Sequence, residues 1–268
     1  MASIKNLTGS KDSELESING TVNENLMDDN PFRSFKIKEE RELFTEEKKL
    51  CLQCNKLRKV YCPIDFIPIN HIPPKVTLPI ELIIYRHPQE LSSKTTTTHI
   101  KILAPQQTKI ILHNFYLHGL PSNLNDNQKE SGEEVISNVE FIDVDRTLLL
   151  YPTENSKDLS EIDRNSFDKL IVIDGTWNQS KTMAKVLSSK GFRQVRIKTE
   201  KTLFWRYQSL SENYLATVEA VYYFFKDFDT TYNKKVNEDY IYDGKFDNLL
   251  FYFKMQYDLI QNEYKSNP

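Results

Sequence analysis

The sequence predicts an α/β fold, a mostly parallel sheet with flanking helices, preceded by a small cysteine knuckle. Three observations carry this reading. Short runs rich in Val, Ile and Leu recur along the chain without polar alternation, as expected of parallel strands covered on both faces. Polar, helix-forming segments separate them. Two apolar stripes at i, i+3, i+4 spacing close the chain, and these are helix faces that need a core.

Residues 1–41 are rich in Ser, Asn, Asp and Glu and hold no sustained apolar period, so they are expected to form a disordered tail. Residues 42–78 hold the knuckle and a connector. Pro63, Pro68, Pro73, Pro74 and Pro79 argue against regular structure there and for a draped path. Residues 79–268 form the main domain. Its strands are expected at Ile80–Tyr85, Lys109–His113, Thr147–Tyr151, Leu170–Ile173 and Gln194–Ile197. The polar stretches 119–132 and 153–168 read as loop, the first as an insertion. Leu215, Val218, Val221, Tyr222 and Phe225 make one helical stripe, and Phe246, Leu249, Leu250, Phe253, Tyr257 and Ile260 make the other. Ser211 or Thr217 is placed to cap the first of these helices.

Lys and Arg number 35 against 38 Asp and Glu, a net charge of -3, so nucleic-acid binding must rest on a local patch rather than on a global field. No stretch approaches the roughly 20 apolar residues that span a bilayer. The amino terminus is polar and acidic, unlike a secretory signal. Two of the three cysteines stand at Cys-x-x-Cys spacing, which argues against a disulfide scaffold. A soluble intracellular protein is expected.

Four segments could carry chemistry. The apolar run Leu170–Ile173 ends in Asp174-Gly175-Thr176-Trp177, which puts a carboxylate, a flexible hinge, a hydroxyl and an indole where open α/β sheets bind ligands. From Lys181 to Arg206 eight basic residues face a single acid, Glu200. Lys181, Lys185, Arg193, Arg196, Lys201 and Arg206 are therefore candidates for an RNA backbone, with Phe204, Trp205 and Tyr207 as stacking surfaces. The alternative is a solvated helix face beside a buried aromatic run. Cys51-x2-Cys54-x7-Cys62-x2-Asp65 has the form of a zinc knuckle, Asp65 standing where a fourth cysteine is usual and His71 a second candidate; three ordinary cysteines without metal is the other reading. Directly after the first strand, His87-Pro88-Gln89-Glu90 and Lys94-Thr95-Thr96-Thr97-Thr98-His99 offer hydroxyls and charge at a helix amino terminus, a plausible anion or cosubstrate site. Taken singly, the Thr run also reads as low-complexity drift and His99 as a satisfied helix-face histidine. Glu219 reads as a helix-capping residue.

The motif Asp174-Gly175-Thr176-Trp177 resembles the signature of the DTW-domain family. Three further blocks follow that family's order: His87-Pro88-Gln89-Glu90 with Lys94-Thr95-Thr96 and His99; Phe204-Trp205-Arg206 leading to Leu215-Ala216-Thr217-Val218-Glu219-Ala220; and Asp247-Asn248-Leu249-Leu250-Phe251. The likeness spans about Cys51 to Asn262 and points to a eukaryotic branch acting on tRNA. It implies an enzyme that moves the 3-amino-3-carboxypropyl group of S-adenosylmethionine to N3 of a tRNA uridine, at position 20 of the D-loop, in the nucleus or cytoplasm. It implies a SPOUT-like body with a carboxyl-terminal knot. It also implies a cosubstrate site of Lys94, Thr95, Thr96, Gly175, Leu215, Thr217 and Glu219, and a catalytic set of Asp174 as base with Thr176 and Trp177. Partners are then tRNA, and neither DNA nor a membrane. Thr95 and Ala216 stand where the family has Ser. Transfer to ribosomal RNA, SPOUT-type methyl transfer, or tRNA binding without turnover are the competing readings.

Overall fold

The computed structural model describes residues 30–39, 47–113, 142–198, 200–203 and 215–266. Ser34–Pro268 form one compact unit. Before it, residues 30–33 make a turn in which the Phe32 N–H donates to Asn30 Oδ1 at 3.0 Å.

The unit begins with two small antiparallel hairpins. β1 (Lys49–Leu50) pairs with β2 (Leu57–Arg58), and β3 (Tyr61–Cys62) with β4 (Ile67–Pro68). The second hairpin corrects the expectation that the proline-rich stretch lacks regular structure. Pro68 ends a two-residue strand, where a missing N–H is tolerated.

The sheet follows: β5 (Glu81–Arg86), α1 (Thr97–Leu103), β6 (Thr108–Leu112), β7 (Thr147–Leu150), β8 (Lys157–Asp158), β9 (Lys169–Asp174), α2 (Trp177–Ser189) and β10 (Arg193–Arg196). α3 (Thr217–Lys234) and α4 (Phe251–Ser266) close the chain, with a 3-10 turn at Asp247–Leu250 leading into α4. Among the described residues the sheet has six strands in the order β6-β5-β9-β7-β10-β8, every pair parallel. The five expected strands are present. The sixth, β8, corrects the reading of residues 153–168 as loop: an edge strand with both residues exposed has no apolar signature. The path of residues 204–214, on which a carboxyl-terminal knot depends, lies outside the described residues, as does the expected insertion at 119–132.

Both faces of the sheet are covered at β5, β7 and β9, which is why these strands read as unbroken apolar runs. Ile83, Tyr85, Leu149 and Ile171 pack with Met183 and Leu187 of α2 on one face. Leu82, Ile84, Leu148 and Leu170 are fully buried among the remaining core side chains, where α3 packs on β9 and α1 on β6. On α1 and α4, Ile102, Leu103, Phe251, Tyr252 and Met255 form a separate cluster, against which Val60, Tyr61 and Phe66 of the second hairpin pack.

Polar contacts tie the hairpin segment to the body. Tyr61 Oη lies 3.0 Å from His99 Nε2 on α1 and accepts a 2.7 Å hydrogen bond from Gln256 Nε2 on α4. His71 Nε2 lies 2.7 Å from Tyr252 Oη. Burial holds the His99 imidazole down to about 3, so it stays neutral in neutral solution. Ser34–Glu39 also depart from the expected tail. Phe35 packs on Tyr222 at 5.5 Å, and the Lys36 and Lys38 N–H groups donate to Asp247 Oδ2 (2.6 Å) and Asn248 Oδ1 (2.8 Å). Buried Asp247 also accepts from the Tyr222 and Tyr242 hydroxyls at 3.0 and 3.1 Å. The Asp-Asn-Leu-Leu block thus serves to seat a strap on the start of α4.

Candidate active site

Residue Asp174 ends β9, beside Arg86 at the end of β5, at the carboxyl edge of two adjacent inner strands. In an open parallel sheet this is where ligands bind. The Asp174 carboxylate is 4 % exposed and surrounded by hydroxyls. Thr95 Oγ1 donates to Oδ2 at 2.8 Å, Thr97 Oγ1 to Oδ2 at 3.3 Å and Thr217 Oγ1 to Oδ1 at 2.9 Å. Burial raises its pKa above the usual carboxylate range, while these hydroxyls and the Arg86 guanidinium pull it back part of the way.

The Thr run is therefore no drift. Thr95 and Thr97 hold Asp174, Thr96 Oγ1 accepts from the Val218 N–H at 3.2 Å, and Thr98 donates to the Ser92 carbonyl at 2.9 Å. The Thr96 contact satisfies a first-turn N–H of α3 from another segment of the chain. Three elements, the 95–97 segment, β9 and the start of α3, thus converge on one carboxylate.

Past Asp174 the chain turns sharply. A Cβ on Gly175 would stand 3.3 Å from both His87 Cβ and Gln179 Cβ, tighter than ordinary contact, so glycine lets the turn lie against the His87 loop. The His87 N–H donates to the Asp174 carbonyl at 2.8 Å. Gln179 caps α2 by accepting from the Thr176 N–H at 2.7 Å. Half-buried Trp177 opens α2, its ring stacked with Tyr151 at 6.3 Å and 24° and the Lys181 ammonium 5.7 Å over it. Lys94 is exposed beside the Thr run, and Leu215 is half-buried ahead of α3.

Glu219 is 1 % exposed. It accepts from Thr202 Oγ1 (2.7 Å), the Leu203 N–H (2.6 Å) and the Ala216 N–H (2.7 Å). It caps α3 and ties down residues 202–203, as the capping reading expects; Thr217, one of the expected caps, points to Asp174 instead. Ser211 lies outside the described residues.

Of the basic candidates, Lys181 and Lys185 stand exposed on α2, and Lys201 is exposed beyond β10. Arg193 and Arg196 are engaged within the fold. The Arg193 guanidinium donates to the Ser166 and Asp145 carbonyls (2.7 and 2.8 Å), and Arg196 pairs with Asp158 at 2.7 Å. Arg206 and the aromatic run 204–207 lie outside the described residues.

At the knuckle, one ligand atom from each of Cys51, Cys54, Cys62 and Asp65 lies within 4.8 Å of all the others. Asp65 Oδ2 is 3.0 and 3.1 Å from the Cys51 and Cys62 sulfurs, and the Cys54 and Cys62 sulfurs are 3.5 Å apart. These spacings suit the edges of a tetrahedron with bonds of roughly 2.0–2.3 Å. The hydrogen bond to the Asp65 carboxylate pushes the Cys54 thiol up to about 11. The donor set fits zinc. His71 bonds the Ile69 carbonyl and Tyr252 instead.

The sequence profile of the DTW domain matches residues 48–261. The chain belongs to the DTW-domain family. Among relatives, tRNA-uridine aminocarboxypropyltransferase 1 of Xenopus laevis is 31% identical over 246 residues, covering 81% of each chain. The human protein of the same name is 30% identical over 238 residues, covering 79% of this chain and 77% of its own. No solved structure matches the chain. In this DTW-domain protein the four motif blocks do different work. The Thr run, Asp174–Trp177 and Thr217 build one site, whereas Glu219 holds the backbone at 202–203 and 216, and Asp247 seats the Ser34–Glu39 strap. Sequence reasoning missed Arg86, whose signal was its place at the end of an apolar run beside the motif strand.

Proposed function

We propose that this protein transfers the 3-amino-3-carboxypropyl group of S-adenosylmethionine to N3 of a tRNA uridine, at position 20 of the D-loop, giving 3-(3-amino-3-carboxypropyl)uridine. The observation that carries the reading is the Asp174 site, assembled from motif residues in a chain alignable over most of its length with proteins named for this transfer.

The donor set fits the cosubstrate. Asp174 offers negative charge to an ammonium or a sulfonium, and Arg86 beside it offers positive charge to a carboxylate. Lys94, Thr95, Thr96, Gly175, Leu215 and Thr217 line the segments that would hold it, with Glu219 acting through the backbone it fixes. Bound there, S-adenosylmethionine supplies an electrophilic carbon next to a sulfonium. The residues of the site fix which carbon faces the uridine, and that alignment separates this transfer from methylation. Trp177, stacked on Tyr151, presents an aromatic face for a base, and Lys181 and Lys185 present charge for the phosphate backbone.

Incubation of purified protein, S-adenosylmethionine and tRNA, followed by mass spectrometry of nucleosides, tests the reading. The aminocarboxypropyl adduct on uridine is the expected product. A methyl adduct, or an adduct on ribosomal RNA alone, would replace it. We further propose that the knuckle holds one structural zinc through Cys51, Cys54, Cys62 and Asp65. Metal analysis should find about one zinc per chain, and a strong chelator should lower the melting temperature. Metal-free protein that melts unchanged would refute this.

A further inference from the structure

The reading above needs a base, since N3 of uridine is a weak nucleophile while it carries its proton. Asp174, the residue the motif suggests, is poorly placed for that task. Its carboxylate is 4 % exposed, and three hydroxyls already donate to it. A second carboxylate stands at the same strand ends. Glu90 follows β5 in a turn closed by its own N–H, which donates to the His87 carbonyl at 2.9 Å. Unlike Asp174, it is only half-buried. Its loop lies against the first turn of α2, where Gln179 Nε2 reaches Gln89 Oε1 at 3.4 Å, and its carboxylate lies near enough to the Thr176 N–H to feel its positive end.

Resting on that reading, we propose that Glu90 is the general base that takes the N3 proton, and that Asp174 is a positioning residue which gathers the threonines beside it. In the step, the N3–H bond breaks and its proton passes to a Glu90 oxygen. The N3 electron pair forms the bond to the γ-carbon, and the carbon–sulfur pair leaves with sulfur as a neutral thioether. Among the described residues, the charged groups facing Glu90 are Asp174 on β9 and Arg86 on β5. Burial and the Asp174 charge raise Glu90 above the usual carboxylate range, with the Thr176 N–H and Arg86 opposing. The net shift moves a carboxylate toward the range where it accepts a proton efficiently near neutrality.

The test compares wild type with Glu90→Gln and Glu90→Asp in single-turnover transfer across pH, on tRNA transcripts carrying uridine or 5-fluorouridine. Fluorine acidifies N3 and lessens the need for a base. The expected result has four parts. S-adenosylmethionine binding by calorimetry and the melting temperature stay near wild type in Glu90→Gln. Its transfer rate on uridine falls by about 100-fold or more. The rate then climbs with pH in step with N3 ionisation, without the carboxylate limb seen in wild type and in Glu90→Asp. On 5-fluorouridine the deficit shrinks at least tenfold. Transfer by Glu90→Gln within a few-fold of wild type overturns the assignment. So does an equal loss on both transcripts at every pH, or lost cosubstrate binding, since each makes Glu90 a structural or binding residue. Wild type that modifies neither transcript would instead overturn the transferase reading itself.

Discussion

Asp174→Asn should lose transfer by about 100-fold or more while keeping tRNA binding and gaining, or at least not losing, thermal stability at neutral pH. The loss has two sources. The amide carries no charge to set against a cationic cosubstrate, and its NH2 group donates where Thr95, Thr97 and Thr217 also donate, so the hydroxyls must rearrange. Displacements of about 1 Å in such a constellation cost on the order of 100-fold. The stability sign follows from linkage. Burial raises the folded-state value for Asp174 above its ordinary 3.8. The native state therefore binds this proton more tightly than the unfolded chain does. Ionised Asp174 subtracts from stability above the folded value, and that loss is relieved as pH falls toward 3.8. Asparagine removes this dependence. Transfer assays beside melting curves across pH decide it: full transfer by the variant removes Asp174 from the machinery, and a fall in melting temperature at neutral pH shows the carboxylate to be a net stabiliser.

Glu219→Ala should be the most damaging single change to the fold around the site. It strips the acceptor from the Thr202 hydroxyl and from the Leu203 and Ala216 N–H groups, at a position 1 % exposed. Each buried donor left unmatched costs about 1–3 kcal/mol, so a total of about 3 kcal/mol or more is expected. For a chain of this size that lowers the melting temperature by roughly 10 °C. Glu219→Gln keeps one oxygen and should fall between. Transfer declines as well, because α3 carries Thr217 to Asp174. A Glu219→Ala protein melting within a degree or two of wild type would show that water replaces the lost acceptor.

How much of this was legible depended on where each residue's partners sit. β5, β7 and β9 announced themselves because burial on two faces leaves an unbroken apolar run. β8 was silent: its two exposed residues join the sheet through β10. Thr95–Thr98 were legible as a candidate cosubstrate site but not as four separate duties, which the hydroxyls acquire only beside Asp174 and Val218, distant in sequence. Arg193 and Arg196 counted as free charge in composition, yet their partners lie at Ser166 and Asp158. Glu90 was visible in its motif without a role, since only the fold brings it to Thr176.

The hydroxyl cage around Asp174 also bears on how the protein comes into being. Thr95 precedes Asp174 by 79 residues, and Thr217 follows it by 43. During synthesis, β5 has left the ribosome long before its neighbour β9 exists, so an apolar strand waits with an open edge. Only when the start of α3 emerges can the third hydroxyl arrive. Such distant closures are slow and leave nascent chains exposed to aggregation. A ribosome stalled between β10 and α3 would hold a nearly complete sheet with an unfinished carboxylate cage, and therefore an inert chain.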